Sequence, residues 1–347
     1  MPVKKLLTTC LIIITVFTFQ NCIKKNSDII NQTNTASTVP DLTISYTYSN
    51  AKYPAHIANY LLTVDNTPAT NPVTDAGATL GRVLFYDKHL SKNNTVSCSS
   101  CHNPELNFND TARLSKGFEG GSTARNSMSV LNLRFYASGK MFWDERANTL
   151  EDQVLQPIQN TTEMGTTLIE LVAKVDSQSY YPALFQKAFG TSQVTSDKIS
   201  KALSQFLRSI VTYQSKYDLV KQGLANFTTD EQIGETLFLT AGAVPCGGCH
   251  APPMFETSTP AAPFALQDPN DHGINNQNRF KSGSLRNIAS ATNLFHNGSV
   301  RDVNTMLASN IPQHGIAPQD RARILAFLQT LTDNTITTEP KFSNPFR

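Results

Sequence analysis

One short motif, two cysteines separated by two residues and followed by a histidine, occurs twice and constrains the fold more than any other feature. Its members are Cys98, Cys101 and His102 in the first copy, and Cys246, Cys249 and His250 in the second. This spacing is the signature of covalent c-type haem attachment, in which both thiols add to vinyl groups and the histidine ligates the iron from the proximal side. The repeat therefore predicts two covalent haems, held by four of the six cysteines.

Zinc is the alternative reading of the same cysteines. Two such pairs could form one four-thiolate zinc site, and a single pair could serve as a redox dithiol. Neither alternative explains why a histidine follows each pair, and a dithiol motif of the thioredoxin type does not occur twice.

Length, composition and charge narrow the class of protein. The 347 residues suggest two domains, and 39% apolar with 16% charged residues is ordinary for a globular protein. The formal net charge of +2 gives no sign of a nucleic-acid-binding or polybasic membrane surface.

The first residues have the pattern of a targeting segment. Lys4 and Lys5 precede a short apolar run, Leu6 to Phe19, and Cys22 follows shortly afterwards. We therefore expect residues 1–22 to be a signal peptide of the lipoprotein type, with Cys22 as the lipidation site. A plain signal peptide is the alternative. Both interpretations place the protein in the periplasm or cell envelope, where c-type haems are attached.

The rest of the chain is predicted to be mostly α, with two cytochrome-c-like domains that each wrap one haem. Residues 23–50 are rich in Asn, Ser and Thr, so we expect a flexible tether. The predicted N-terminal haem domain covers 51–222, the C-terminal haem domain 223–335, and a tail 336–347.

Two of the predicted helices have clear local signals. Apolar residues at three- and four-residue spacing predict a long amphipathic helix over Ser196 to Tyr213. Thr229-Asp230-Glu231-Gln232 has the pattern of a capping box that begins a helix over Glu231 to Leu239, before the second haem motif.

Several blocks of sequence resemble the bacterial dihaem cytochrome c peroxidases and their MauG relatives, in the family's order. The resemblance extends over roughly residues 79–333 and does not by itself choose between the subfamilies. The blocks are Leu80-Gly81-Arg82-Val83-Leu84-Phe85-Tyr86-Asp87, the first haem motif with Asn103-Pro104, Ala124-Arg125-Asn126-Ser127, Phe142-Trp143-Asp144, Gln153 to Met164, Ser284-Leu285-Arg286-Asn287, and Phe295-His296-Asn297-Gly298.

The resemblance implies that the two haems have different tasks. His250 would be the proximal ligand of a high-potential, electron-transferring haem, and His102 that of the haem that binds hydrogen peroxide. The family's electron-relay tryptophan falls on Trp143, the only tryptophan in the chain.

The resemblance also implies a set of residues on the distal side of the peroxidatic haem. The family's acid–base glutamate falls on Glu163, its partner amide on Gln153, and Pro157 completes the distal wall. Cleavage of the peroxide O–O bond needs a group that moves a proton from the near to the far oxygen, and a carboxylate can do so.

A calcium ion between the haems is a further implication of the resemblance. Its side-chain ligand would be Asn126, with carbonyl ligands from Ala291 and Asn293, where the family usually has Thr and Pro. Oxygen ligands of this kind suit Ca²⁺.

Two departures from the family's pattern concern the iron ligands. Many members carry a histidine that blocks the peroxidatic iron, but no histidine lies between Asn103 and Trp143 here. The distal ligand of the other haem is Met in the peroxidases and Tyr in MauG. The last tyrosine is Tyr217, before the predicted C-terminal domain, which argues against a MauG-type ligand.

The gap-free alignment instead places an asparagine, Asn310, at the distal position of the C-terminal haem. Asparagine is a poor haem ligand. Met306, one helical turn earlier, is therefore the favoured ligand, and His314 is the alternative.

The resemblance predicts a peroxidase that reduces hydrogen peroxide with electrons from a small soluble donor, such as a cytochrome c or a cupredoxin. A MauG-like oxidase of a partner protein and a non-enzymatic dihaem carrier or sensor are the alternatives. A distal carboxylate argues against the carrier, which has no use for an acid–base group. The sequence does not identify the electron donor, and it leaves open whether the protein forms a homodimer.

Overall fold

The computed structural model of the protein describes residues 37–240, 245–256, 270–311 and 314–346. The predicted leader, the lipidation site at Cys22 and the first part of the predicted tether lie outside these ranges. Within them the secondary structure is helical, and the only strand-like pairings are isolated bridges. None of the described helices has the length and apolar character needed to cross a membrane.

Helices of very different length make up the described part of the chain. The α-helices are α1 (Ala55–Val64), α2 (Asp75–Tyr86), α3 (Cys98–Cys101), α4 (Leu150–Val154), α5 (Gln156–Gln159), α6 (Leu168–Asp176), α7 (Tyr181–Phe189), α8 (Ser196–Ser209), α9 (Lys216–Lys221), α10 (Thr229–Thr240), α11 (Cys246–Cys249), α12 (Val303–Ala308), α13 (Pro318–Gln329) and α14 (Thr335–Thr338). Short 3₁₀ turns lie at Lys88–Leu90, Pro104–Leu106, Leu133–Phe135, Ile274–Asn276, Ile288–Ser290 and Pro340–Phe342.

Two lobes follow one architectural plan. In the N-terminal lobe α2 crosses α8 at Gly81, and in the C-terminal lobe α10 crosses α13 at Gly234. A Cβ on Gly81 would lie 2.0 Å from the carbonyl oxygen of Ala202, and one on Gly234 would lie 2.0 Å from that of Arg323. Each crossing therefore needs glycine, because the helix backbones approach too closely for a side chain. In each lobe the first helix of the pair leads into a haem motif.

An asparagine in the left-handed conformation marks the same point in both lobes. Asn132 has φ 62° and Asn287 has φ 63°, and each precedes a 3₁₀ turn. The Asn132 side chain accepts the backbone N–H of Thr212 at 2.9 Å, and that of Asn287 accepts the N–H of Asp333 at 2.9 Å. Each asparagine thus ties the middle of its lobe to the residues that follow its last long helix.

The Asn132 contact also explains a difference between the predicted and observed ends of α8. The predicted helix ran to Tyr213, but α8 ends at Ser209. The Ile210 carbonyl accepts the N–H of Asn132 at 2.9 Å, and the next residues bind its side chain. Tertiary hydrogen bonds therefore end the helix although its apolar pattern continues.

The predicted capping box of α10 is shifted by one residue. The Thr228 N–H donates to the Glu231 carboxylate at 2.7 Å, and the Thr228 hydroxyl accepts the N–H of Glu231 at 3.3 Å. Thr228 rather than Thr229 is therefore the N-cap, and the helix begins at Thr229.

The C-terminal stretch crosses back to the N-terminal lobe. Ile336, Phe342 and Phe346 are buried in the core formed by α2, α7 and α8. The Arg82 guanidinium donates to the Ser343 carbonyl at 2.7 Å. Residues counted by the prediction as a tail after the C-terminal domain thus close the N-terminal lobe.

The end of the predicted flexible tether also packs on this lobe, which corrects that prediction. Tyr48 is buried, and its hydroxyl donates to the Lys341 carbonyl at 2.8 Å. The backbone N–H groups of Tyr48 and Ser49 both bind the carboxylate of Asp75 at the start of α2. Composition alone did not show this docking, because it rests on one aromatic residue among many polar ones.

A buried ion pair anchors α9 and α1 to the C-terminal lobe. Arg286 forms two hydrogen bonds of 2.8 Å to the carboxylate of Asp218, and both side chains are fully buried. The His56 ring contacts the same carboxylate at 2.9 Å. Tyr217 joins the C-terminal core, so that lobe begins before the predicted boundary at 222. Removing one partner of such a pair is costly, because it leaves an uncompensated buried charge.

Candidate functional site

The second haem motif opens into a cavity of about 230 Å³ in the C-terminal lobe. Helix α11 places Cys246 and Cys249 on its wall, and His250 follows the helix directly. The cavity extends to the seam between the lobes, where Trp143 lines it.

Hydrogen bonds orient the ring of His250. Its Nδ1–H donates to the Phe255 carbonyl at 3.2 Å, which leaves Nε2 as the nitrogen with a lone pair. The Ser282 hydroxyl lies 3.2 Å from Nδ1 and donates to the Cys249 carbonyl at 3.1 Å. Burial and then the nearby His314 lower the pKa of His250 to about 4. A neutral imidazole held in this way is the form that ligates a haem iron.

The first haem motif lies half-buried in the N-terminal lobe, on helix α3. Burial raises the pKa of Cys98 to about 12 and that of Cys101 to about 11. Burial also lowers the pKa of His102, which favours the neutral ring. A neutral imidazole is the form that ligates a haem iron.

The structure argues against the zinc alternative. The two cysteine pairs lie on α3 and α11, in different lobes, so they do not meet in one four-thiolate site. Across the described ranges, His, Cys, Asp and Glu side chains form no group of three or more placed to hold a metal ion. The two motifs therefore act separately.

The predicted distal residues of the N-terminal lobe come from consecutive turns of the chain. Gln153 lies on α4, Pro157 on α5 and Glu163 in the turn that follows. All three are half-buried. The electrostatic field of Glu163 reaches Cys101, which places the carboxylate in the neighbourhood of the first haem motif.

Backbone contacts hold the turn that carries Glu163. The Asn160 side chain accepts the Glu163 N–H at 3.2 Å, and the Phe118 N–H donates to the Glu163 carbonyl at 2.9 Å. Gly165 has φ 68° and lies under the Phe118 ring, where a Cβ would approach to 2.5 Å. The sequence thus fixes the backbone of this turn while the carboxylate stays available.

The electrostatics of Glu163 suit a group that exchanges protons. Burial raises the pKa of Glu163 above its ordinary value, and the charge of Arg146 opposes the shift without cancelling it. Within the described residues its carboxylate makes no hydrogen bond. A half-buried carboxylate with a raised pKa and no structural partner is a candidate acid–base group.

Trp143 lies at the seam between the lobes. Its indole Nε1–H donates to the Asn126 carbonyl at 2.8 Å, and its own carbonyl accepts the N–H of Lys281 at 2.8 Å. The Asn126 N–H donates in turn to the His296 carbonyl at 2.8 Å. Trp143 is therefore fixed by both lobes at once.

Both candidate distal ligands reach the C-terminal cavity. Met306 on α12 and His314 line it together with His250. Tyr217, the last tyrosine, packs edge-on against Phe255 in the core, 4.9 Å between ring centroids, and is not among the residues that line the cavity. The structure therefore retains both predicted alternatives.

Sequence reasoning missed the charged groups at the seam. Arg125 contacts Asp144 in its own lobe and Asp271 in the other. Lys281 and Glu256 are both buried there, and burial lowers the pKa of the former and raises that of the latter. The sequence held one hint of these groups: Arg125 directly precedes Asn126 in a block that resembles the family. Asp271 and Glu256 gave no hint, because they lie in loops without a sequence pattern.

The fold and the site define a two-lobed haem protein. The family described as di-haem cytochrome c peroxidase matches residues 75–226. The cytochrome c551 peroxidase of Nitrosomonas europaea is 33% identical over 293 residues, 80% of this chain and 85% of that protein. The methylamine utilization protein MauG of Methylophilus methylotrophus is 28% identical, over 76% of this chain and 84% of that protein. A solved MauG-like protein associated with microbial copper homeostasis superimposes with a TM-score of 0.75 at 30% identity, covering 86% of this chain and 99% of its own.

The chain therefore belongs to the family of dihaem cytochrome c peroxidases and MauG proteins. It is a haem-dependent oxidoreductase that acts on peroxide.

Glu163→Gln should keep the shape of the distal pocket but remove the proton-exchanging group. We expect both haems to be retained and peroxide turnover to fall by about 10²–10⁴-fold, the usual contribution of a general acid–base residue. In the wild type kcat/KM should fall as the pH drops through a carboxyl pKa above its ordinary value, because only the deprotonated carboxylate can accept the first proton. The variant should lose this pH dependence.

Glu119→Gln is the matched control, because Glu119 is an exposed carboxylate of the same lobe. Steady-state kinetics over a range of pH measures both variants. Near wild-type turnover of Glu163→Gln would show that another residue moves the proton.

Proposed function

We propose that this protein reduces hydrogen peroxide to water with electrons from a small soluble donor, through two covalent c-type haems in two cytochrome-c-like domains. Electrons would be accepted in the C-terminal lobe and used in the N-terminal lobe. The observation that carries this proposal is Trp143, which lines the C-terminal cavity while its indole is hydrogen-bonded to Asn126 of the N-terminal lobe. One aromatic side chain thus lies between the cavity of the second haem motif and the N-terminal lobe.

The chain's own residues divide the work. Cys98, Cys101, Cys246 and Cys249 would form the thioether links, and His102 and His250 would be the proximal ligands. When bound, the haem of the N-terminal lobe would coordinate peroxide, and that of the C-terminal lobe would store an electron. Met306 is the proposed distal ligand in the C-terminal lobe, with His314 as its alternative in the same cavity.

Glu163 would be the general acid–base group of the reaction. Its carboxylate takes a proton from the near oxygen of peroxide and gives it to the far oxygen, which leaves as water when the O–O bond breaks. Two electrons and two further protons complete the reduction to a second water. Gln153 would orient the peroxide, and Pro157 would exclude bulk water from the pocket.

The peroxidase reading is favoured over MauG-like oxidation of a partner protein. MauG-type chemistry implies a tyrosine ligand, but the last tyrosine, Tyr217, lies in the C-terminal core and does not line the cavity.

The donor would be a small cytochrome c or cupredoxin, and the protein would work in the periplasm or cell envelope, with Cys22 as a lipid anchor. These proposals rest on the haem motifs and the leader pattern.

Steady-state turnover with reduced cytochrome c tests the function. The wild type should oxidise the donor only when peroxide is added, and a pyridine haemochrome assay should find two haems per chain. The double variant Cys246→Ala, Cys249→Ala should lose one haem and the donor-driven turnover. Two haems without peroxide-dependent donor oxidation would instead support a carrier.

We also propose a calcium ion at the seam, bound by the Asn126 amide oxygen and the carbonyls of Ala291 and Asn293. All three residues line the same cavity wall. The Asn126 amide nitrogen donates to the Arg113 carbonyl at 3.0 Å, while its oxygen has no hydrogen bond within the described ranges. Oxygen ligands of this type bind Ca²⁺.

Removal of calcium should therefore slow turnover. Treatment with EGTA should lower the rate, and Ca²⁺ should restore it better than Mg²⁺, which tolerates an irregular oxygen site poorly. Elemental analysis before and after chelation measures the bound ion. Protein purified without chelator that contains no calcium would contradict the site.

The oxidised enzyme should bind exogenous ligands without prior reduction. No histidine lies between Asn103 and Trp143. The two methionines of this interval are engaged elsewhere: Met128 lines the C-terminal cavity, and Met141 is buried 3.9 Å from the Lys281 ammonium. We therefore expect a high-spin iron in the N-terminal lobe that binds cyanide promptly.

Stopped-flow spectra of the oxidised and the half-reduced protein mixed with cyanide measure this. An oxidised form that stays low-spin and inert, next to a half-reduced form that reacts promptly, would reveal a distal ligand in the N-terminal lobe.

A further inference from the structure

The guanidinium of Arg125 joins the two lobes beside Trp143. Its Nε and Nη2 atoms donate to the carboxylate of Asp271 in the C-terminal lobe at 2.6 and 2.7 Å. Its Nη1 atom lies 2.6 Å from the carboxylate of Asp144, the residue directly after Trp143. The Arg125 side chain therefore links the segment that carries Trp143 to the C-terminal lobe.

The peptide that follows Arg125 holds the indole itself. The Asn126 carbonyl accepts the Nε1–H of Trp143, and the Asn126 N–H binds the His296 carbonyl of the other lobe, both at 2.8 Å. Asn126 therefore binds the indole ring of Trp143, and Arg125 binds the next residue, Asp144. Both Arg125 and Asn126 also bind residues of the C-terminal lobe.

Burial and geometry make this contact stronger than an ordinary surface ion pair. The side chains of Arg125, Asp144 and Asp271 are only 21%, 18% and 16% exposed. A two-pronged arginine–carboxylate contact is directional, because both N–H groups must match both oxygens. Without the guanidinium, Asp271 would lose this cationic partner, Asp144 would keep only its ion pair with Arg146, and the contact across the seam would be lost.

We propose that Arg125 is a positioning residue for electron transfer between the lobes. It fixes the indole of Trp143 against the C-terminal cavity, so that an electron can pass from the haem of the C-terminal lobe to that of the N-terminal lobe. This inference rests on the proposed function. It assigns Arg125 no part in peroxide binding or proton transfer.

Arg125→Met and Arg125→Lys separate the two properties of the side chain. Methionine removes the charge and the hydrogen bonds, whereas lysine keeps the charge but cannot form the two-pronged contact. Arg134→Met is the matched control, because Arg134 is similarly buried and pairs with Asp65 at 2.5 Å within the N-terminal lobe.

Two measurements on the holoprotein test the proposal. Rapid mixing of the fully reduced protein with peroxide follows the oxidation of the C-terminal haem. Ultraviolet resonance Raman spectroscopy reports the indole N–H hydrogen bond and ring torsion, and all its indole bands arise from Trp143, the only tryptophan. Cyanide binding to the N-terminal haem serves as a check of that site's integrity.

Arg125→Met should slow oxidation of the C-terminal haem by about 10- to 10²-fold. The upper figure is roughly the loss that a 1 Å misplacement can cause. Its Trp143 bands should shift, while cyanide binding stays unchanged. Arg125→Lys should lie between Arg125→Met and the wild type, and Arg134→Met should match the wild type.

Wild-type oxidation kinetics in Arg125→Met would overturn the proposal, as would slow oxidation with unshifted Trp143 bands. If Arg125→Met cannot be isolated with both haems, Arg125→Lys decides by the same two readouts. If the wild type itself fails to oxidise a donor with peroxide, the proposed function fails, but the Raman bands still test the positioning of Trp143.

Discussion

The structure depends on a reciprocal pair of backbone hydrogen bonds at the seam between the lobes. The Asn126 N–H binds the His296 carbonyl, and the Lys281 N–H binds the Trp143 carbonyl, both at 2.8 Å. Each lobe thus supplies one backbone donor and one backbone acceptor. The C-terminal cavity lies against this seam and is lined by residues of both lobes. Any change in how the lobes meet would therefore change the surroundings of Trp143 and of the second haem motif together.

The repeated plan of the lobes explains how one architecture can supply two different sites. The glycine crossings and the left-handed asparagines recur in both, so the framework around each haem motif is the same. The difference lies in what each lobe adds to that framework. The N-terminal lobe adds α4, α5 and the turn that carries the carboxylate of Glu163. The C-terminal lobe adds α12 and the stretch with Met306 and His314. The first set suits proton exchange, and the second offers side chains of the kind that ligate a haem iron.

Local patterns in the sequence predicted the parts of the fold that depend on local physics. The haem motifs and the amphipathic core of α8 could be predicted, because spacing and side-chain type determine them directly. The end of α8, the docking of Tyr48 and the return of residues 335–346 to the N-terminal lobe could not, since each depends on a partner far away in the chain. The same holds for the site. Family resemblance singled out Trp143 and Glu163 as candidates, but the ion pair of Arg125 with Asp271 joins residues 146 positions apart and has no such signal.

The central claim is that Trp143 connects a peroxide-reacting lobe with an electron-supplying lobe. The most direct measurement is single-turnover spectroscopy of Trp143→Phe, reduced at both haems and mixed with peroxide. Our account predicts that the N-terminal haem spectrum changes at the wild-type rate while oxidation of the C-terminal haem slows markedly. Simultaneous, wild-type oxidation of both haems in this variant would contradict it, because electrons would then pass between the lobes without the tryptophan.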